Sequence, residues 1–208
     1  MLVAKGTRVY LASRSPRRRE LLRQIGVGFE FLPLRERSPR GPDVDESVLA
    51  GESPDAYVRR VCLAKAASGW ARVTERRIPR LPVLAADTTV CLGDTIYGKP
   101  ADAADAARML AELSGTSHRV LSAVTLQFDD RVETEVSVST VRLCPLSADD
   151  IARYVASGEP MDKAGAYGIQ GLAAVFIQEL QGSYTGVMGL PLCETAALLS
   201  RFTSPSPR

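Results

Sequence analysis

Apolar and polar positions along this chain repeat with two different periods, and the switches between them mark its elements. Arg8-Val9-Tyr10-Leu11-Ala12 reads as a short strand. Ser15 then stands at a helix N-cap with Pro16 at the first helical position, and Leu21, Leu22 and Ile25 give that helix an apolar face. Phe29 to Leu34 predicts a second strand. The segment from Arg35 to Glu52 is polar and rich in Pro and Gly, and reads as a loop carrying Asp43, Asp45, Glu46 and Glu52. Ser53-Pro54 repeats the cap-then-proline start. Tyr57, Val61, Leu63, Ala64 and Ala67 follow at roughly helical spacing, with Lys65 on the same helix and its solvated face the plain expectation for that lysine. Arg72 to Arg80 reads as a basic, solvated connector.

Pro82 to Leu92 is an apolar run of the kind that forms a central strand. Asp87 interrupts it, and a carboxylate there is costly to bury without a partner. Gly93-Asp94 is a hairpin turn into a short strand at Ile96-Tyr97, which Gly98-Lys99-Pro100 ends. Ala101 to Leu113 is an alanine-rich helix stopped near Gly115. Val120 to Phe128 and Val132 to Leu143 form two long strands joined by Asp129-Asp130-Arg131. In the second, Val132, Thr134, Val136 and Val138 share one face, while Glu133, Glu135, Ser137 and Ser139 share the other, so one side is expected in solvent. Ser147-Ala148-Asp149-Asp150 opens a helix with a capping-box pattern. A glycine-rich loop from Gly158 to Gly171, a strand from Ala173 to Leu180, a turn at Gly182-Ser183-Tyr184 and a helix from Pro191 to Phe202 complete the pattern. The tail from Thr203 to Arg208 is polar and expected to fray. This mixture of βα units and hairpins predicts an α/β or α+β fold with a mixed sheet, in one domain over residues 1–208 with its core in 7–202.

Bulk properties narrow the function. The 208 residues are 45% hydrophobic and 24% charged, enough for one compact domain or one domain with two lobes. A net charge of +2 leaves no global footprint for nucleic acid or an anionic membrane. At 6% aromatic residues, a base-stacking platform for single strands is not expected either. Cys62, Cys91, Cys144 and Cys193 are scattered without CxxC spacing, which fits a reducing cytoplasm better than a zinc site or disulfide framework. The opening Met1 to Gly6 is too short before the first strand to read as a signal peptide, and no apolar run approaches a membrane span. A cytoplasmic protein is the expectation.

Charge distribution in the first helix is the unusual feature. Arg17, Arg18 and Arg19 crowd a helix start where the macrodipole is already positive. Free N–H groups, the hydroxyls of Ser13 and Ser15 and the arginine forks would together suit a polyphosphate; the plainer account is a solvated basic turn. Asp87 and Glu46 could share a divalent metal or activate water, whereas a strand-end carboxylate capping backbone N–H groups and a solvated loop residue are the simpler alternatives. Lys99 is held in a turn from which it could reach phosphate, or is an ordinary surface lysine. His118, the single histidine, has no nucleophile at triad spacing and reads as structural. Gln170 carries an amide able to read a nucleobase edge, within what is otherwise a long surface loop.

Taken in order, these stretches resemble the Maf family of nucleoside triphosphate pyrophosphatases. The resemblance rests on Ser13-Arg14-Ser15-Pro16-Arg17-Arg18, Asp45-Glu46, Lys65-Ala66, Ala86-Asp87-Thr88, Gly98-Lys99-Pro100 and Gly115 to Val120. It continues through Glu159 to Gly171, Gly182-Ser183-Tyr184 and Gly189-Leu190-Pro191-Leu192, nearly the whole chain. Each piece is short; their joint order is specific. The resemblance implies an elongated α/β fold, with a mixed sheet flanked by helices and a cleft between two lobes. It implies a nucleoside triphosphate diphosphatase that releases the monophosphate and pyrophosphate with a divalent cation, Mg²⁺ or Mn²⁺, often as a homodimer.

By the same resemblance Asp87 is the catalytic carboxylate, Glu46 helps hold metal and water, and Lys99 acts with them. Arg17, Arg18, Lys65 and Lys99 embrace the phosphates, with Ser13 and Ser15 at the loop. Arg17, Thr88 and Gln170 match positions that separate subfamilies by substrate. The string Asp162 to Gly171 looks like the dTTP/UTP branch, whereas the branch acting on 7-methyl-GTP departs from it and lacks the Gln. Gly186 stands where the family commonly has Asn or Ala, which would loosen that loop. Rival expectations are a broader or purine-directed pyrophosphatase, and a nucleotide-binding regulator of cell division or septum formation with incidental hydrolysis. A carboxylate beside the phosphates repels them unless a metal intervenes, which favours an enzyme over a binder.

Overall fold

The computed structural model describes residues 2–35 and 41–203. The expected tail beyond Thr203 and positions 36–40 of the long loop lie outside the described residues. Seven strands form one mixed sheet. β1 (Arg8–Leu11) lies parallel to β2 (Gly28–Phe31) on one side and to β3 (Val83–Leu92) on the other. β3 pairs antiparallel with β5 (Ser117–Phe128), β5 with β6 (Arg131–Leu143), and β6 with the edge strand β7 (Ile177–Gln181). The short β4 (Thr95–Tyr97) folds back on the far end of β3. The expected mixed sheet flanked by helices is therefore the architecture observed.

Helices cover both faces. α1 (Pro16–Gln24) buries Leu21 and Leu22 against one face, joined there by α6 (Leu192–Thr203). Ser15 occupies the N-cap position of α1, but its side chain makes no capping bond. α2 (Pro54–Glu75) crosses the other face and is capped by Ser53, which accepts from the Ala56 N–H. Gly69 lets it approach closely, since a Cβ there would meet Val83 Cγ1 at 2.8 Å and Ala12 Cβ at 3.1 Å. α3 (Ala103–Leu113) and α4 (Ala148–Ala156) pack together at the β4 end, and Ser147 and Asp150 form the predicted capping box. α5 (Tyr184–Met188) is a single turn lying over β5 and β6.

Four sequence expectations need correction. Leu63 is 41% exposed and Ala67 is also exposed. The buried stripe of α2 runs instead through Tyr57, Val58, Val61, Cys62, Ala66, Gly69 and Val73, and this phase carries Lys65 toward the sheet. The 72–80 segment is not simply a solvated connector. Arg72 lies within α2, largely buried, paired with Asp43 and donating to the Pro33 carbonyl. Arg80 stacks over Trp70 and Phe128 and pairs with Asp129. In β6 the faces alternate as predicted, yet Val138 is 50% exposed while Ser137 and Ser139 are buried. The loop before α5 packs on Ser139, whose Oγ accepts from the Ser183 N–H at 2.9 Å. Finally, the strand predicted from Ala173 begins only at Ile177, because Leu172–Phe176 is a 3₁₀ turn.

Candidate active site

The cleft exists because β3 (10 residues) runs well past β1 (4 residues) on one edge. On one edge β1 pairs with it only through Leu84, and β4 pairs only from Val90 onward. Between them, among the described residues, Ala85 to Thr89 has no strand partner on that edge, and Asp87, Thr88 and Thr89 line the opening, while β5 supports the same residues from the other edge. A cleft of about 780 Å³ opens there, lined by the start of α1, the loop before α2, the β3 segment, Gly98-Lys99 and the turn at Asp162-Lys163. This gap beyond the carboxyl end of a parallel strand is where ligands bind in open α/β sheets.

Strand alternation sends consecutive residues of β3 to opposite faces. Val83 and Ala85 pack under α2, and Asp87 follows on that face. Leu84 and Ala86 pack with α1 and α6, and Thr88 follows on that one. Asp87 is therefore buried beside Lys65, whose Nζ lies 2.7 Å from Asp87 Oδ1 and 3.0 Å from Glu46 Oε1. Burial opposes the ammonium charge, but the two carboxylates outweigh it and raise the Lys65 pKa. One cation thus holds two carboxylates from different elements in a single cluster.

The backbone around Glu46 is tied down. Tyr57 Oη donates to the Glu46 carbonyl at 2.9 Å, and burial with the nearby Asp87 and Glu46 charges pushes the phenol pKa up. Arg60 donates to the Ser47 carbonyl at 2.8 Å and is anchored by Glu52 at 2.6 Å. The Glu46 side chain itself remains exposed enough to change partners.

On the opposite face the arginines divide their labour. Arg18 donates from Nε to the Gly189 carbonyl at 2.8 Å, from Nη1 to Ser13 Oγ at 3.0 Å and from Nη2 to Thr88 Oγ1 at 3.3 Å. Burial lowers its pKa, with the Asp87 charge opposing that shift. Arg18 therefore fastens the β1–α1 turn, β3 and the Gly189 loop together. Ser13 Oγ also accepts from the Ser15 N–H at 3.2 Å. Thr88 Oγ1 lies 2.9 Å from Ser122 Oγ, its register partner, and Ser122 donates to the Gly186 carbonyl at 2.6 Å. With its N–H also bonded to Ser183 Oγ at 3.0 Å, Gly186 is held at both ends rather than loosened.

Arg17, on the next position of α1, reaches across the cleft to Asp162 Oδ2 at 3.4 Å. Lys99 is exposed at the rim, where the Gly98 carbonyl accepts from the Gly165 N–H at 3.1 Å. Among the described residues, seven Lys and Arg side chains line the cleft against four carboxylates. Of the sequence-predicted residues, Ser13, Ser15, Arg17, Arg18, Glu46, Lys65, Asp87, Thr88 and Lys99 all line it. Gln170 does not: it is exposed and outside the lining. Its loop is pinned by Glu159, whose carboxylate accepts from Tyr154 Oη at 2.9 Å and the Leu172 N–H at 2.8 Å.

Sequence reasoning passed over Tyr57, Asp162 and Lys163. Tyr57 sits two turns ahead of Lys65 on the buried stripe, a spacing that α2 in its correct phase makes visible. Asp162 and Lys163 carry no local signal, because their place depends on how the glycine-rich loop folds back. His118 is 2% exposed and lies outside the cleft lining, with Nε2 at 2.8 Å from Tyr167 Oη and Nδ1 buried without a hydrogen-bond partner among the described residues. Burial lowers its pKa to about 4.

No cluster of three or more metal-ligating side chains occurs among the described residues. Asp87 and Glu46 nevertheless converge on one point, marked by the Lys65 ammonium. Two carboxylates completed by water and phosphate oxygens are a donor set that suits a hard divalent cation.

Residues 8–202 match the family described as Maf-like protein. The chain is 58% identical over 200 residues to a "dTTP/UTP pyrophosphatase" of Aromatoleum aromaticum, covering 95% of this chain and 97% of that one. It is 57% identical over 194 residues to a protein of the same name from Ralstonia nicotianae, covering 93% of each. A third, from Cupriavidus metallidurans, is 56% identical over 193 residues, covering 92% of this chain and 94% of that one. Among solved structures, the Staphylococcus aureus Ham1 protein is similar with a TM-score of 0.44 at 13% identity, covering 95% of this chain and all of that one. No helix among the described residues is long and apolar enough to cross a membrane. The motifs in order, the cleft they build and the match over residues 8–202 lead to one conclusion: the chain belongs to the Maf-like protein family.

Proposed function

We propose that this chain hydrolyses dTTP and UTP, and related modified pyrimidine triphosphates, to the monophosphate and pyrophosphate, a role in clearing the nucleotide pool. The observation that carries the chemistry is the Lys65 bridge between Asp87 and Glu46 on the floor of a cationic cleft. The names of relatives at 56–58% identity support the choice of substrate.

In this reading the triphosphate lies along the cationic wall, with Arg17 and Lys99 as its first contacts and Ser13 and Ser15 at the helix start. Arg18 keeps its protein partners and acts by shaping that wall. Water attacks phosphorus in line with the α–β anhydride oxygen. A new P–O bond forms, the anhydride P–O bond breaks, and its electron pair leaves with pyrophosphate. Asp87 accepts the proton lost by the water, and Lys65 holds that carboxylate in place. The growing charge on pyrophosphate is met by the cationic side chains, a stabilisation that operates where charge develops. A divalent cation, Mg²⁺ or Mn²⁺, would be held by Asp87 and Glu46 and would polarise the phosphoryl oxygens.

The reading is tested with purified protein, a panel of nucleoside triphosphates and Mg²⁺ or Mn²⁺, detecting phosphate and pyrophosphate separately. Pyrophosphate release fastest with dTTP and UTP supports it. Release of single phosphates, or equal rates with purine triphosphates, would contradict it.

A further inference from the structure

One carboxylate in the cleft binds two cations that belong to different walls. Asp162 Oδ1 lies 2.7 Å from Lys163 Nζ, and Asp162 Oδ2 lies 3.4 Å from Arg17 Nη1. Arg17 comes from the first turn of α1; Asp162 and Lys163 come from the turn 145 residues later in the chain. All three line the cleft.

The lysine is held by its surroundings. Lys163 Nζ also donates to the Glu159 carbonyl at 2.6 Å, and its side chain is largely buried. Its stem passes over Gly168, where a Cβ would stand 2.6 Å from Lys163 Cε and 2.9 Å from Cδ. The glycine therefore clears a track for the lysine stem, which ends at the cleft-lining Asp162. Asp162, by contrast, is mostly exposed, and its ion pairs among the described residues are with the two cations it bridges. Its carboxyl lies low in pKa: burial opposes this, but Lys163 and then Arg17 outweigh it.

A carboxylate spanning two cations presents them with a negative fork of oxygens, as a phosphate group would. We infer that Asp162 is an internal stand-in for a substrate phosphate: the incoming triphosphate displaces it, and Arg17 and Lys163 then clamp that phosphate from opposite walls. Lys163 is thus a further phosphate-binding residue, and Asp162 a built-in competitor that neutralises the mouth of the empty cleft. This inference rests on the pyrophosphatase reading for its substrate, but its electrostatics concern any polyphosphate.

The test compares wild type with Asp162→Asn and Lys163→Met in two measurements. One is KM and kcat for dTTP with Mg²⁺. The other is calorimetric binding of inorganic pyrophosphate, which needs no turnover. Asp162→Asn keeps the side-chain shape, and Lys163→Met keeps a stem over Gly168. Asp162→Ser is a second variant at the exposed turn. Losing one competing charge-assisted contact is expected to lower KM and tighten pyrophosphate binding by about threefold to tenfold in both Asp162 variants. Lys163→Met is expected to raise KM and weaken pyrophosphate binding by about tenfold. A merely structural role for Asp162 does not predict a gain of affinity on its removal.

Unchanged or weakened pyrophosphate binding in both Asp162 variants would overturn the inference, as would a wild type that binds no pyrophosphate. A wild type that binds pyrophosphate but hydrolyses no triphosphate would contradict the proposed function instead. The binding measurements would then decide this inference alone.

Discussion

Lys65 Nζ lies 2.7 Å from Oδ1 of Asp87, and both groups are largely withdrawn from water. Each makes the other tolerable there. A buried carboxylate and a buried ammonium would each cost several kcal/mol alone, and breaking such a pair is costlier than never building it. Lys65→Met should therefore destabilise the fold by about 3 kcal/mol. Adding Asp87→Asn to that variant should restore much of the loss. Urea unfolding of the four proteins in the cycle measures this, and additive effects of the two substitutions would contradict it.

Arg18 has a different task from Arg17 despite adjoining it. Its three donating nitrogens end on Gly189, Ser13 and Thr88, so the planar fork itself is used. A lysine cannot reproduce that fork. Arg18→Lys is expected to cost about 2 kcal/mol of stability, with Thr88 and the Gly189 loop losing their tether. Equal urea midpoints for wild type and Arg18→Lys would show that the three bonds do not hold the wall.

Tyr57 is the hinge pin of the Glu46 loop. Removing Oη in Tyr57→Phe deletes one bond to the Glu46 carbonyl and leaves the ring in the core. Stability should change by only about 1 kcal/mol, the net value of a single hydrogen bond. If Glu46 holds the proposed divalent cation, activity should fall several-fold and the half-saturating Mg²⁺ concentration should rise as Glu46 loses its fixed position. Kinetics titrated against Mg²⁺ read this effect. An unchanged metal dependence would separate Glu46 from the cation.

His118 sets a pH dependence for stability. Its folded pKa of about 4 lies below the ordinary histidine value because the ring is buried. Below pH 6.5 the unfolded chain takes up a proton that the folded chain refuses until about pH 4. Stability from this group is thus complete above pH 6.5 and is lost as pH falls toward 4, by about 3 kcal/mol in all. Because His118 is the single histidine, unfolding curves at pH 7 and pH 5 isolate it well. In His118→Gln that slope should flatten; identical slopes in the two proteins would contradict the assignment.

Local signals carried much of this structure. The Ser53-Pro54 start, the Ser147 capping box, the Gly93 hairpin and the long apolar strand around Asp87 all depend on neighbours in sequence, and all are where the pattern put them. What failed depends on distant partners. The phase of α2 was misread because small residues, Cys62, Ala66 and Gly69, face the sheet where a helix must come close, while Leu63 faces solvent. Ser137 and Ser139 look like a solvated face, yet both are buried, and the loop before α5 packs on Ser139 and uses its small size. Arg72 looks like a surface charge until Asp43 and the Pro33 carbonyl arrive from an earlier loop.

The same division holds in the site. Asp87 was legible because a carboxylate in an apolar strand is locally anomalous. The Lys65 bridge was not, since it joins three elements. Gln170 was singled out for its amide, and the fold leaves it outside the cleft lining, on a loop organised by Glu159.

The central claim is that Asp87 takes a proton from water as the α–β anhydride of a pyrimidine triphosphate breaks. The most direct measurement is the release of pyrophosphate from dTTP by wild type and Asp87→Asn, each folded and supplied with Mg²⁺. Loss of a positioned general base should slow release by about 10²–10⁴-fold in the variant. Release by Asp87→Asn at the wild-type rate would contradict the claim.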